Sequence, residues 1–178
     1  IRAYDEDDAT VLLAVPKSKN DTVTVQAEDI DSETTTSILK YWSGEKLKEL
    51  RLASDLSLIY NGAKIQTSQD FTADKLRPEC GYVTLIDADG NGEYETVFAK
   101  SYTTYVVQSL KTETVYDIFG NNFTYKEDNE ITVYKNGSQI DFSDIKIGDV
   151  ISAAVSLDGE KIEILVSDKA LSGKVTSS

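Results

Sequence analysis

DLSLIYNGAKI, the sequence of Asp55–Ile65, carries the fold prediction, because a similar stretch returns 75 positions later. The second stretch is EITVYKNGSQI at Glu130–Ile140. In both, an Asn-Gly pair lies between apolar segments. Asn-Gly accepts the positive φ angles that a two-residue type I′ turn requires, so each stretch predicts a tight β-hairpin.

The same succession of landmarks follows each stretch. Asp70-Phe71 and Gly81-Tyr82-Val83 come after the first, and Asp141-Phe142 and Gly148-Asp149-Val150 come after the second. An Asp-Gly pair then follows in both cases. One order of strands and turns that returns at a domain-like distance predicts tandem modules.

The predicted fold is mainly β, with two small tandem modules that are each a β-barrel or a β-sandwich. Residues 1–108 are expected to form the first module with extra N-terminal strands, residues 109–170 the second, and residues 171–178 the start of a following segment. At most one or two short helical turns are expected, at Thr72–Leu76 and Ser43–Leu50. We interpret the chain as a fragment of a longer protein.

Two-residue alternation supports the strand prediction. In Thr22–Ala27 the valines share one face and the threonines the other, and in Lys161–Ile164 charge alternates with Ile. Further strands are predicted at Thr10–Val15, Ser37–Trp42, Leu56–Ile59, Tyr82–Ile86, Thr96–Val107, Thr114–Ile118, Ile131–Tyr134 and Val150–Leu157.

The composition disfavours several classes of function. The formal net charge is −13, from 31 acidic and 18 basic residues, so the chain should repel nucleic acid and anionic lipid. No apolar run approaches the roughly 20 residues that cross a bilayer, so membrane insertion is not expected. The chain has no His, and Cys80 is its single Cys, so the commonest general base and any internal disulfide are lacking. An enzyme is not predicted, and the composition is compatible with a bacterial exterior.

One acidic loop has the chemistry of a metal site. Asp87, Asp89, Asn91 and Glu95 place side-chain oxygens at loop positions one, three, five and nine, and a Gly occupies position six. Ca²⁺ takes six to eight oxygen ligands, and alternating ligands around a Gly turn can wrap part of that sphere. The backbone carbonyl of Glu93 is a fifth candidate donor. The loop therefore predicts a calcium site.

Position twelve of this loop is Phe98 rather than an acid, so the loop is not an EF-hand. It resembles the DxDxDGxxD calcium loops that join β-strands in integrin-like and thrombospondin-like repeats, with Asn91 and Glu95 replacing two aspartates. The alternative is ordinary turn chemistry, in which Asp, Gly and Asn close a hairpin with solvated carboxylates. The corresponding turn, Leu157–Glu160, lacks the extra acids and should close the same way.

Two weaker hypotheses concern carbohydrate. Trp42, with Tyr41 beside it, could stack on a sugar ring, although a Trp at a strand end more often packs against its own protein. A pair of carboxylates could serve a glycan hydrolase, but no motif marks such a pair. Trp42 and Tyr41 are therefore candidates for ligand binding, and no catalytic residue is assigned.

The longest resemblance joins four segments: LIYNGAKI, GYVTLIDADGNGEYETVFAKSYTTYVV, DIKIGDVISAAVSLDGEKIEILVS and LSGKV. From about Asp55 onward, their order and spacing resemble the uncharacterised tandem β-repeat regions of Gram-positive S-layer and cell-wall-associated surface proteins. The resemblance implies a secreted, non-enzymatic spacer or scaffold at the cell wall, whose partners are neighbouring modules of its own chain. The alternatives are a module that binds carbohydrate or cell-wall polymer and, third, a hydrolase fragment.

Overall fold

The computed structural model describes residues 21–65 and 70–167. Within these ranges the chain is mainly β, with two sheets and only short 3₁₀ turns, which confirms the mainly β prediction. The strand expected at Thr10–Val15 and the segment expected at residues 171–178 lie outside the described residues.

The first sheet is formed by β1 (Asp21–Gln26), β2 (Ile38–Ser43), β3 (Lys46–Tyr60), β4 (Ala63–Lys64), β5 (Gly81–Asp87) and β6 (Glu93–Ser101). Its strand order is β1-β5-β6-β3-β2, and β4 pairs with β3. β3 and β6 run parallel, whereas the other pairs are antiparallel. This sheet is solenoid-like or half-barrel-like rather than clearly a barrel or a sandwich.

The second sheet is formed by β7 (Thr103–Lys111), β8 (Thr114–Asp117), β9 (Asn122–Thr124), β10 (Glu130–Lys135), β11 (Ser138–Ile140), β12 (Val150–Val155) and β13 (Lys161–Ser167). Its order is β11-β10-β13-β12-β7-β8-β9. β7 pairs antiparallel with β12, as β1 does with β5.

Five strands in each sheet follow the same order of neighbours. The path is β4-β3-β6-β5-β1 in the first sheet and β11-β10-β13-β12-β7 in the second. The register differs, however. Val83, two residues after Gly81, is buried. Val150, two residues after Gly148, is only partly buried, and the next residue, Ile151, is fully buried. A shift of one residue moves a strand's apolar positions to the other face, so strand order is shared while side-chain register is not.

Both Asn-Gly pairs form the predicted turns. Asn61 and Gly62 have φ of 48° and 90°, and Asn136 and Gly137 have φ of 53° and 77°. The flanking residues pair directly, Tyr60 with Ala63 and Lys135 with Ser138. Two positive φ angles between paired strands are the geometry of a type I′ hairpin, so this prediction is confirmed.

The helical prediction needs correction. The turn expected at Thr72–Leu76 is present as a 3₁₀ turn at Ala73–Leu76, but two more occur at Ala27–Asp29 and Phe142–Asp144, so the described residues contain three. The helical turn expected at Ser43–Leu50 is wrong, because these residues form the β2–β3 hairpin. Leu47 and Leu50 fit helical spacing, but pairing with β2 satisfies the backbone and outweighs local propensity.

The described residues divide into two compact units. The first contains residues 21–65, 70–102 and Val155–Lys161, and the second contains Thr103–Ala154 and residues 162–167. Residue 108 falls inside β7, and the module ranges 1–108 and 109–170 stay predictions.

Each unit has its own fully buried apolar side chains. In the first unit these are Leu39, Leu76, Leu85, Val83 and Val97. In the second they are Val107, Val115, Val133, Ile151 and Ile164. Among the described residues there is no helix both long enough and apolar enough to span a bilayer.

Candidate functional site

The predicted calcium loop joins two antiparallel strands of the first sheet. β5 ends at Asp87 and β6 begins at Glu93, and Ile86 pairs with Thr96 across the hairpin. Gly90 adopts a φ of 77°, which glycine reaches without steric cost. The loop is thus held at both ends by a regular sheet.

Three of the predicted ligands lie together. One carboxylate oxygen from each of Asp87, Asp89 and Glu95 lies within 4.8 Å of the others. Asp87 is buried, Glu95 is half-buried and Asp89 is exposed. Three carboxylates at such separations repel one another unless hydrogen bonds or a cation offset their charge.

Hydrogen bonds within the loop supply part of that compensation. Asp87 Oδ1 accepts from the amide of Gly90 at 2.6 Å, and Oδ2 accepts from the amide of Gly92 at 2.9 Å. Glu95 Oε2 accepts from the amide of Ala88 at 2.9 Å. These are the bonds of a self-contained hairpin turn, and their carboxylate acceptors are also oxygens of the kind that Ca²⁺ prefers.

The remaining predicted ligands occupy the outer part of the loop. Asn91 donates its backbone amide to Asp89 Oδ1 at 3.0 Å and its Nδ2 to Asp89 Oδ2 at 3.2 Å. Asn91 Oδ1 in turn accepts from the amide of Glu93 at 2.7 Å. Glu93 pairs with Arg51 at the start of β6, and its exposed side chain is not in the carboxylate cluster.

The protonation state of Asp87 follows from two opposed effects. Burial disfavours the charged carboxylate, but the backbone amides of Gly92, Gly90, Asn91 and Asp89 favour it and together outweigh burial. The pKa of Asp87 is therefore lowered. The carboxylate is charged at neutral pH, as a cation ligand must be.

Asp21 and Tyr94 lie next to the cluster and were not predicted as site residues. Asp21 pairs with Asp87 across β1 and β5, and Tyr94 donates its hydroxyl to Asp21 Oδ2 at 2.8 Å. Burial, followed by the bond to Asp21, raises the pKa of Tyr94, so its hydroxyl remains a donor. The sequence gives no signal of this proximity, because the residues are far apart along the chain.

The β12–β13 turn is built on a smaller set of polar atoms. Asp158 Oδ1 accepts from the Ser156 hydroxyl and, at 3.0 Å, from the amide of Glu160. The Ser156 bond and then the Glu160 amide lower the pKa of Asp158. One carboxylate closes this turn, so the acids of the Asp87–Glu95 loop exceed what closure requires.

The two aromatic candidates face opposite sides of β2, because successive strand residues alternate. Tyr41 packs against the core of the first unit. Trp42 is 44% exposed, and its Nε1 donates to Asp31 Oδ2 at 2.9 Å. A single sugar ring therefore cannot stack on both rings at once.

Exposed apolar side chains form a second surface that the sequence analysis missed. Phe119 is 75% exposed, and Ile118 and Ile147 are also exposed. The amide of Ile118 donates to Val106 O, and that of Gly148 donates to Val107 O, so both segments border the same part of β7. Phe119 beside Gly120 was the available signal, since a turn commonly exposes its side chains.

No protein-family model, curated protein or solved structure matches this chain.

Proposed function

We propose that the chain is a non-enzymatic structural spacer of a bacterial cell-surface protein, built from two modules of one plan. The observation that carries this proposal is the common order of five strands in the two sheets. Repeated modules usually lengthen a protein and enlarge its surface, because each module adds its own core and needs no catalytic site. Closure of each sheet into a barrel or sandwich, and the wall location, stay predictions.

Three hydrogen-bonded carboxyl groups are unsuited to the acid role in a glycan hydrolase. A glycosidase needs one carboxylic acid whose pKa is raised so that it can protonate the leaving group. The pKa values of Asp31, Asp87 and Asp158 are all lowered, so none of these three suits the role of that acid. Each is already engaged by hydrogen bonds that favour the charged form.

Calcium is the cofactor that we propose for the spacer. Asp87, Asp89 and Glu95 supply three carboxylates and Asn91 supplies an amide oxygen, leaving the rest of the coordination sphere to backbone carbonyls and water. A bound cation would replace repulsion among these acids with attraction. It would thereby stiffen the β5–β6 hairpin.

The alternative function is binding of carbohydrate or cell-wall polymer through Trp42. Its exposed indole, with Asp31 as a neighbouring acceptor, is the observation that favours it. Asp31 also accepts from the amide of Glu33, and that bond followed by the Trp42 bond lowers its pKa. The carboxylate therefore stays charged and can accept from sugar hydroxyls.

A display experiment tests the spacer directly. The chain is inserted between a wall anchor and an epitope on a Gram-positive cell, and antibody access to the epitope is measured. If the chain is a spacer, the wild type and the Trp42→Ala variant should increase antibody access to the epitope by the same amount. Two copies in series should increase it further. No gain in access from one or two copies would contradict the proposal.

The wall-binding alternative is tested by measuring how much of the protein is retained on purified peptidoglycan sacculi and on wall teichoic acid. The spacer proposal predicts no retention above that of a matched acidic protein. Retention that is lost in Trp42→Ala would replace the spacer with the wall-binding function.

A further inference from the structure

Three Asn-Gly pairs occur in the sequence, at residues 61–62, 91–92 and 136–137. In an Asn-Gly pair the Gly nitrogen can attack the side-chain carbonyl carbon of the Asn, because glycine has no side chain to block the approach. The products are a five-membered succinimide ring and ammonia. The surroundings of each pair therefore decide whether this reaction is hindered or helped.

Asn61-Gly62 is protected against the reaction. The Asn61 side chain is 5% exposed, and its Nδ2 donates to Val155 O at 2.8 Å and to Ser101 O at 3.2 Å. Its Oδ1 accepts from the amide of Ser101 at 2.8 Å. These three hydrogen bonds hold the side chain in place, and they would have to break before it could turn onto the Gly62 nitrogen.

Asn91-Gly92 is open to the reaction. Asn91 is exposed, and its Oδ1 accepts from the amide of Glu93 at 2.7 Å. That hydrogen bond closes a ring of atoms that contains both Cγ of Asn91 and the nitrogen of Gly92, so the two reacting atoms belong to one constrained ring. A Cβ placed on Gly92 would meet no atom within 4 Å, so the pair is accessible to water.

The polar atoms around Asn91-Gly92 match the needs of each chemical step. The amide of Gly92 donates to Asp87 Oδ2 at 2.9 Å, which places a proton acceptor against the attacking nitrogen and leaves the faces of the peptide plane open. The amide of Glu93 donates to the carbonyl oxygen that becomes negative during the attack. Asn91 Nδ2, the leaving nitrogen, donates to Asp89 Oδ2 at 3.2 Å.

We propose that Asn91-Gly92 is an autocatalytic deamidation site, at which the Asp87–Glu95 loop converts its own Asn91 to an acid. The Gly92 nitrogen gives its proton to Asp87 and bonds to Cγ of Asn91. The Cγ–Nδ2 bond then breaks, and the proton held by Asp87 leaves with that nitrogen as ammonia. Water opens the succinimide to aspartate or isoaspartate, so the net reaction is asparagine plus water to acid plus ammonia.

The reaction adds one negative charge to a loop that already gathers the carboxylates of Asp87, Asp89 and Glu95. The aspartate product places a fourth carboxylate among the proposed calcium ligands, and calcium affinity depends on the charge of its ligands. This consequence rests on the proposed calcium role. The reaction itself needs neither calcium nor a spacer function.

The test follows deamidation by mass spectrometry of digested peptides, in chelator at neutral pH, for the native chain and for the chain in concentrated urea. Each converted Asn gains about 1 Da. Asn91 should convert at least about tenfold faster in the native chain than in urea, where Asp87 and Glu93 no longer surround it. Asn61 should convert at least about tenfold more slowly in the native chain than in urea, because its hydrogen bonds protect it.

Asp87→Asn tests the proton acceptor. The new side chain keeps an acceptor oxygen for the loop but is not a base. Below the melting temperatures of the variants, the rate at Asn91 should fall at least about tenfold in Asp87→Asn. Asp158→Asn, which removes a carboxylate from the β12–β13 turn, should leave that rate unchanged.

A native rate at Asn91 no higher than the rate in urea would overturn the proposal. An undiminished rate in Asp87→Asn would do the same. So would aspartate without isoaspartate at residue 91, because water opens a succinimide on both sides of its nitrogen. None of these results bears on the display, sacculus or calcium experiments, and failure of those experiments leaves this test unchanged.

Discussion

The β5–β6 and β12–β13 hairpins occupy corresponding places in the two strand orders, yet their turns are built differently. The first turn gathers three carboxylates within 4.8 Å, whereas the second closes on Asp158. Both hairpins form, so strand pairing and turn glycines suffice for closure. Hairpin closure therefore does not explain the additional acids of the first turn, and we propose that they bind calcium.

The largest effect should come from the cores that the two sheets build separately. Leu85→Ala in the first unit and Ile164→Ala in the second should each cost about 2–5 kcal/mol of unfolding free energy, since both side chains are fully buried. Urea denaturation measures the loss, with Leu165→Ala on the exposed face of β13 as the control. A cost for Ile164→Ala as small as that of the control would deny the second sheet a core of its own.

The next effect is a difference in melting temperature between variants of the two turn aspartates, measured after a chelator has removed calcium. Asp87 accepts with both of its oxygens, so Asp87→Asn leaves one loop amide without an acceptor. Asp158 accepts through Oδ1 alone, which Asp158→Asn retains. Thermal unfolding should show a lower melting temperature for Asp87→Asn than for Asp158→Asn, and the reverse order would refute this account of the turns.

Calcium should distinguish the turns in the next experiment. A ligand bound only by the folded state raises the melting temperature by about 3–6 °C when its free concentration is tenfold above Kd. We expect this rise in the wild type and in Asp158→Asn at millimolar calcium, and its loss in Asp89→Ala. An equal rise in Asp89→Ala, or none in the wild type, would reject the metal role.

The smallest expected effect is a difference between the wild type and Asp87→Asn in how the melting temperature depends on pH. The native pKa of Asp87 lies below its ordinary value of about 3.9, so the unfolded chain binds more protons than the native state near that pH. The stability that this group contributes is present above about pH 5 and is lost as pH falls through the lower native pKa. Melting temperatures from pH 6 to pH 2 in chelator should therefore fall more steeply for the wild type than for Asp87→Asn, and parallel curves would contradict the assigned pKa shift.

The sequence was a good guide where local chemistry alone sets the structure. Asn61-Gly62 and Asn136-Gly137 predicted type I′ hairpins because few residues adopt their φ angles. Two-residue alternation found most strands. The same reasoning failed at Lys46–Leu50, where leucines three apart suggested a helical turn, because pairing with β2 is a long-range effect that local spacing does not report.

Side-chain register and proximity were also beyond prediction. Aligning Gly81 with Gly148 makes Val83 and Val150 equivalent, yet Ile151 is the fully buried residue in β12. The loop ligands could be named from their spacing, but the approach of Asp21 to Asp87 depends on the pairing of β1 with β5. Such contacts follow from topology, which a single sequence leaves undetermined.

The central claim is that five strands follow one order in both sheets, and inter-strand amide NOEs measured by NMR test it most directly. The account predicts contacts of β10 with β13, β13 with β12 and β12 with β7, matching those of β3 with β6, β6 with β5 and β5 with β1. NOEs that place β10 beside β12 or β7 instead would contradict the claim.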